Sequence, residues 1–264
     1  MKNHLKYVIG ILLVVTGVAN AQVPPVNEAL DHFKCYFPLE ARVLQQEPPV
    51  QLQDQFDIAR NEFETVKDMR IVRFCNPVEK TRGRRITPII HPTHHLTMFL
   101  INPQPIIPRE VVVRNQFGVQ HLDVRDPQVL AVPTGKSLTL GVQPTPPTDL
   151  DHYKCYNASG RKIGAVVRLR DQFHTELVRV LEPMGFCNPV RKIHGDRNVG
   201  VQNAKDHLTC YTITPTPFQG TVVIANQFGL GPVSLAKADI LCVPSQKVKW
   251  EEVLPPREAE ADQQ

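Results

Sequence analysis

One phrase near the start of the chain, Leu30-Asp-His-Phe-Lys-Cys-Tyr36, returns as Leu150-Asp-His-Tyr-Lys-Cys-Tyr156, and most of the phrases after it return too. Gln53-Asp-Gln-Phe56 is matched by Arg170-Asp-Gln-Phe173, and Phe74-Cys-Asn-Pro-Val-Glu-Lys80 by Phe186-Cys-Asn-Pro-Val-Arg-Lys192. A repeat at this scale constrains the fold more than any composition, because each copy must meet the same packing demands. The halves run over 28–140 and 149–248. The residues between them, 141–148, contain three prolines and read as an extended, semi-rigid spacer.

Each half is itself doubled. The opening phrase occurs as DHFKCY, HHLTMF, DHYKCY and DHLTCY; the middle phrase as VQLQDQF, VVVRNQF, VRLRDQF and VVIANQF. The closing phrase occurs as FCNPVEK, LAVPTGK, FCNPVRK and LCVPSQK. Four units of three phrases describe the chain best.

The repeat also assigns the six cysteines. Three units carry Cys in both opening and closing phrases; the second has Met98 and Ala131 in those places. Both partners are missing from the same unit, as they must be if the two positions bond to each other. The expected bridges are Cys35–Cys75, Cys155–Cys187 and Cys210–Cys242, each worth about 3–4 kcal/mol on a chain-entropy account. A zinc cluster built on cysteine is disfavoured, because no Cys-x-x-Cys pair exists.

Alternating and β-branched runs such as Val50-Gln-Leu-Gln, Val111-Val-Val and Thr221-Val-Val-Ile read as strands. With 24 prolines set against helices, the chain is expected to be all-β. Two tandem β-sandwich or barrel-like domains are expected, each of about six strands built from two similar disulfide-tied units. One helix is expected, around Arg60 to Lys67, where the first unit carries extra residues.

Residues 1–21 have the form of a secretory signal peptide: Lys2 and Lys6, an apolar run from Tyr7 to Val18, then Ala19-Asn20-Ala21. Cleavage before Gln22 would leave a charge of 28 − 26 = +2, too mild for a nucleic-acid partner. The apolar run is too short to span a bilayer, so no transmembrane segment is expected in the mature chain. A secreted or periplasmic location is therefore expected, where disulfides persist. Residues 249–264 read as a charged, flexible tail.

The phrases HFKCY, DQF, FCNPV-x-K, HLTCY, NQFG and LCVPS-x-K resemble an uncharacterised repeat domain of exported bacterial proteins, a domain of unknown function. The resemblance covers nearly all of 28–248. It implies an exported bacterial chain of tandem copies and brings no catalytic residue with it.

Candidate chemistry is sparse. His32, His95, His152 and His207 begin the four opening phrases; a need that recurs once per unit reads as structural, with a shared metal or other binding as the alternatives. His91, His94, His95 and His121 enrich the first half, but Pro92 interrupts the cluster and a solvated loop is the expectation. Asp54 and Asp171 would be a carboxylate pair across the halves, yet their counterparts Asn115 and Asn226 point to turn residues. Phe56, Phe117, Phe173 and Phe228 recur as core. Lys80, Arg82, Arg84 and Arg85 form the one basic run and a candidate anion-binding patch. No catalytic motif, metal set or cofactor is expected. The reading is a non-enzymatic exported module, structural or binding. Its alternatives are a polysaccharide- or polyanion-binding module using the basic loop and, further off, a secreted hydrolase. Envelope polysaccharide or another surface protein would be the partner.

Overall fold

A computed structural model describes residues 29–40, 43–102 and 105–254. The expected signal peptide and residues 255–264 of the expected tail lie outside the described residues, while 249–252, expected to be flexible, are the end of the last strand. Fifteen strands and one short helix run in order: β1 (Phe33–Pro38), β2 (Val43–Gln53), α1 (Gln55–Ile58), β3 (Glu64–Pro77), β4 (Glu79–Arg82), β5 (Arg85–Thr87), β6 (His95–Ile101), β7 (Arg109–Asn115) and β8 (Gly118–Ser137). The second half supplies β9 (Tyr153–Gly160), β10 (Val166–Arg170), β11 (Thr175–Pro189), β12 (Arg191–His194), β13 (Arg197–Val199), β14 (His207–Asn226) and β15 (Gly229–Glu252).

The strand pairs close a ring. β1 pairs with β3, β3 with β6, β6 with β8 and β8 with β9. β9 pairs with β11, β11 with β14, β14 with β15, and β15 returns to β1. Every pairing is antiparallel. The eight strands are the opening and closing phrases of the four units, two per unit, taken in chain order around a barrel. An interior of this strand number is just filled by side chains. Phe33 and Cys35, Leu96 and Met98, Tyr153 and Cys155, and Leu208 and Cys210 share one buried cluster with Cys75, Ala131, Cys187 and Cys242. The alternate residues Tyr36, Phe99, Tyr156 and Tyr211 belong to other clusters outside this one, as the period of two along a strand demands.

The disulfides Cys35–Cys75, Cys155–Cys187 and Cys210–Cys242 are the within-unit bridges. Each joins residues directly opposed on neighbouring strands, and Met98 opposes Ala131 at the same rung.

The middle phrases build an outer layer. Each pairs with the early part of its own closing strand: β2 with β3, β7 with β8, β10 with β11, and the far end of β14 with β15. The hairpins then lie over the next unit's outer face. Val111, Val113, Leu122 and Val124 of the second unit pack on Tyr156 and Phe186 of the third. Val167, Leu169, Val178 and Val180 pack on Tyr211 and Leu241 of the fourth. Beyond its proline each closing phrase crosses to the middle strand of the diagonally opposite unit. β4 pairs with β10, β12 with β2, the end of β8 with β14, and the end of β15 with β7.

These pairings correct the two-domain expectation. The halves share one closed barrel, and 141–148 does not hold them apart. A Cβ added at Gly135 would lie 2.6 Å from the Thr145 carbonyl, so this segment runs against β8. The helix expectation also moves. Glu64 to Lys67 already belong to β3, and the helix is a single turn at Gln55–Ile58. Asp54 caps it by accepting from the Phe56 and Asp57 amides, while Asp57 accepts from the Asp54 amide. Three of the strand prolines stand at irregularities: Pro127, Pro183 and Pro217 each border a register shift, where a missing N–H costs no ladder bond.

Candidate functional site

The residues that the four units share are occupied with one another. Lys80, Lys136, Lys192 and Lys247, at the end of the closing phrases, lie over Phe117, Phe173, Phe228 and Phe56 at 5.2, 5.0, 5.5 and 4.7 Å. In every case the ring belongs to the next unit around the barrel, a cyclic set of cation–π contacts. Burial holds the Lys80 ammonium down to about 7, with Arg82 and Arg85 adding to the fall. Burial likewise lowers Lys136, Lys192 and Lys247 to about 8. Lys80 therefore leaves the candidate anion patch: it is 1% exposed and committed to the scaffold.

Arg82, Arg84 and Arg85 remain exposed on the β4–β5 hairpin, which turns at Gly83 with φ of 58°. The Arg82 guanidinium donates to the Gln116 carbonyl at 2.9 Å and covers Phe117. The matching hairpin, β12–β13, turns through Gly195-Asp196-Arg197, so an acid dilutes the charge there.

Asp54 and Asp171 do not meet. Asp171 accepts from Tyr36 Oη at 2.7 Å and Asn76 Nδ2 at 3.2 Å, and lies 3.3 Å from Lys34 Nζ. Asp54 accepts from Tyr156 Oη at 2.8 Å and Asn188 Nδ2 at 2.9 Å. Lys154 sits between Asp57 at 2.7 Å and Glu64 at 3.1 Å, as Lys34 reaches Glu176 at 2.8 Å. Burial alone would raise Asp171, but Lys34 with the Tyr36 and Asn76 donors holds its carboxyl below the usual range. Burial opposes the Lys154 charge too, and Asp54, Asp57 and Glu64 outweigh it and raise the ammonium. Asp54, Asn115, Asp171 and Asn226 all accept the backbone N–H of the phenylalanine two residues on. That is the turn role.

The four opening histidines are buried beneath the strand starts. Burial pushes His32 well below its ordinary value, His95 to about 2, and His152 and His207 to about 3. Neutral, they stack on or bond to their surroundings: His95 lies 5.7 Å from Phe74 and His207 5.6 Å from Phe186.

His91 and His94 are different. Their rings stack 4.3 Å apart, and His91 Nδ1 is 3.4 Å from Asp31 Oδ2. Donor atoms of Asp31, His91 and His94 all lie within 4.8 Å of one another. Asp31 also accepts from the Ile90 and His91 amides at 2.7 and 2.8 Å. His94 Nε2 is 3.0 Å from Asp149 Oδ1. His94 is buried, not solvated as its loop suggested. His121 is elsewhere, exposed beside Glu110 at 2.7 Å. Asp31 and Asp149 were missed in the sequence because both stand far along the chain from the histidines they meet.

A cavity of about 170 Å³ opens beside the barrel interior, lined by Val72, Met98, Val129, Met184 and Ile240 with the bridged Cys155 and Cys187. Its charged neighbour Arg73 is held by Asp239 at 2.9 Å. Among the described residues no carboxylate or histidine lines it. Among the described residues, too, no helix is long and apolar enough to cross a membrane.

Comparison with curated proteins found no match, and neither did comparison with solved structures. A family model described as a repeat of unknown function (DUF7450) matches residues 95–244, from the second opening phrase to the last closing one. The match covers more than half of the sequence, and the chain belongs to that repeat family.

Proposed function

We propose that the protein is a non-enzymatic, exported module that serves as a structural or binding unit outside the cytoplasm. One observation carries the reading. The polar side chains recurring in the units are each engaged by the scaffold, as lysine over ring, aspartate under tyrosine and histidine under strand. Catalysis needs groups that converge once on a reactive point; these diverge around a barrel. The cavity beside the barrel offers apolar lining without an acid–base pair, and in the wider cleft lined by Glu79, Arg170 and Asp171 the carboxylates are bonded to Arg170 and to Tyr36 and Asn76. Three disulfides fit an oxidising compartment. The test is intact mass of the protein recovered outside the cytoplasm of a producing cell. The expected mass lacks residues 1–21 and the hydrogens lost to three bridges. Retention of residues 1–21, or free thiols in the recovered protein, would overturn the assignment to export.

A second reading rests on the β4–β5 hairpin, whose exposed Arg82, Arg84 and Arg85 suit an anionic polysaccharide. Retention on heparin at low salt should vanish when all three become Ala. Absence of retention by the unaltered protein would remove this reading.

A further inference from the structure

The two junctions between paired units are built on one frame and differ in what they carry. Asp31 accepts the Ile90 and His91 amides, and Asp151 accepts the Gln202 and Asn203 amides at 2.8 and 2.9 Å. His91 therefore corresponds to Asn203, and His94, which precedes His95, corresponds to Asp206, which precedes His207. The aspartate that positions the loop is repeated. The imidazoles are not, so the loop's architecture does not require them.

We propose that the first junction is a zinc site, with Asp31, His91 and His94 as ligands. Zinc bonds of about 2.0–2.2 Å in tetrahedral geometry place donor atoms about 3.3–3.5 Å apart. The His91 Nδ1 to Asp31 Oδ2 separation of 3.4 Å meets this. His91 Nδ1 is shielded from solvent and makes no hydrogen bond, leaving its lone pair to an ion. His94 Nε2 is engaged by Asp149, so Nδ1 is the nitrogen it gives the metal. A carboxylate holding the far nitrogen of a ligating imidazole fixes its tautomer and raises its basicity. The two amides on Asp31 orient that ligand in the same way. Two imidazoles and a carboxylate are a borderline-soft set that suits zinc over calcium or magnesium. A fourth position is open to water or an incoming donor.

The ion would tie three units together. Asp31 opens the first, His91 and His94 lead into the second, and Asp149 precedes the third.

The second junction guides the variants that test this. His91→Asn installs the residue the protein already uses at the matching position, and His94→Asn removes the second imidazole without setting a new carboxylate against Asp149, so the loop keeps its frame. Zinc titration by calorimetry on the tag-free mature chain should give one equivalent. The double variant should lose at least about 100-fold in affinity, with an unchanged unfolding midpoint in chelator. Zinc should raise the midpoint of the unaltered protein and leave that of the double variant in place. His121→Ala should bind as the unaltered protein does. Failure of the unaltered protein to bind zinc, binding undiminished in the double variant, or loss on His121→Ala alone would overturn the assignment.

Discussion

Met98 on β6 and Ala131 on β8 oppose each other at the rung where the other three units place a disulfide. The same strand pairing thus holds with and without the covalent link. Met98→Cys with Ala131→Cys should oxidise to a fourth bridge spanning 131 − 98 = 33 residues, close to the 32 of its neighbours. The chain-entropy gain is about 3–4 kcal/mol, reduced by the methionine volume lost beside the cavity. Peptide mapping without reductant reads the bond, and denaturant unfolding reads the gain. Two persistent thiols would show that the rung is not positioned as described.

The first and third units carry buried ion pairs where the second and fourth carry neutral groups. Lys34, Asp171 and Glu176 stand at the positions held elsewhere by Thr209, Asn115 and Gln120, which surround Tyr211. Lys34→Thr alone strands two carboxylates and should cost about 3–5 kcal/mol. Adding Asp171→Asn and Glu176→Gln should recover most of it, since that combination already works in the same barrel. Chemical denaturation of the single and triple variants checks this. Additive losses would mean that the three residues are not coupled.

That exchange was present in the aligned phrases, as Lys with Asp against Thr with Asn, and would have revealed the diagonal contacts. The cysteine pairing was legible because a missing pair fell within one unit. Closure of the barrel was not, because strand alternation names the buried face but not the neighbouring strand. Lys80 looked like part of a basic run because it stands two residues from Arg82. The two side chains share one face of β4 and both lie over Phe117, but the strand runs outward to the turn at Gly83, so Lys80 is buried and Arg82 is exposed. Asp31 was visible only as the residue before a repeated histidine, and its two amide contacts depend on a loop 59 residues further on.

Acid should unfold the protein steeply. The folded-state values of His32, His95, His152 and His207 are depressed by burial, to about 2 or 3 for the last three. Below about 6.5 the unfolded chain takes up protons the native chain refuses, so stability is lost as pH falls from 6.5 towards 3. Each histidine contributes up to about 1.4 kcal/mol per pH unit in that window. Urea midpoints at a series of pH values give the proton uptake, and His95→Gln should lower it by about one. A flat profile between neutral pH and pH 5 would contradict the burial of these rings.

Gly135→Ala should destabilise by about 1–3 kcal/mol through overpacking. The obstacle is backbone, with the Thr145 carbonyl at 2.6 Å and the Pro144 carbonyl carbon at 2.9 Å, and backbone cannot rotate aside. Gly83→Ala meets nothing nearby but stands at a positive φ, so its cost comes from local strain alone. Thermal unfolding of both should separate the two causes, and a neutral Gly135→Ala would show that 141–148 yields.

The ring of pairings gives each half two raw edges that the other half covers: β1 meets β15, and β8 meets β9. A fragment ending near residue 140 would keep its bridge and hairpins and yet expose both seams. A second copy of itself offers the nearest substitute, since the opening and closing phrases are shared. The full chain is in this sense a homodimer written as one polypeptide. Covalent fusion would let the copies diverge, one junction taking histidines and the other keeping Asn203 and Asp206, without the subunits ever parting.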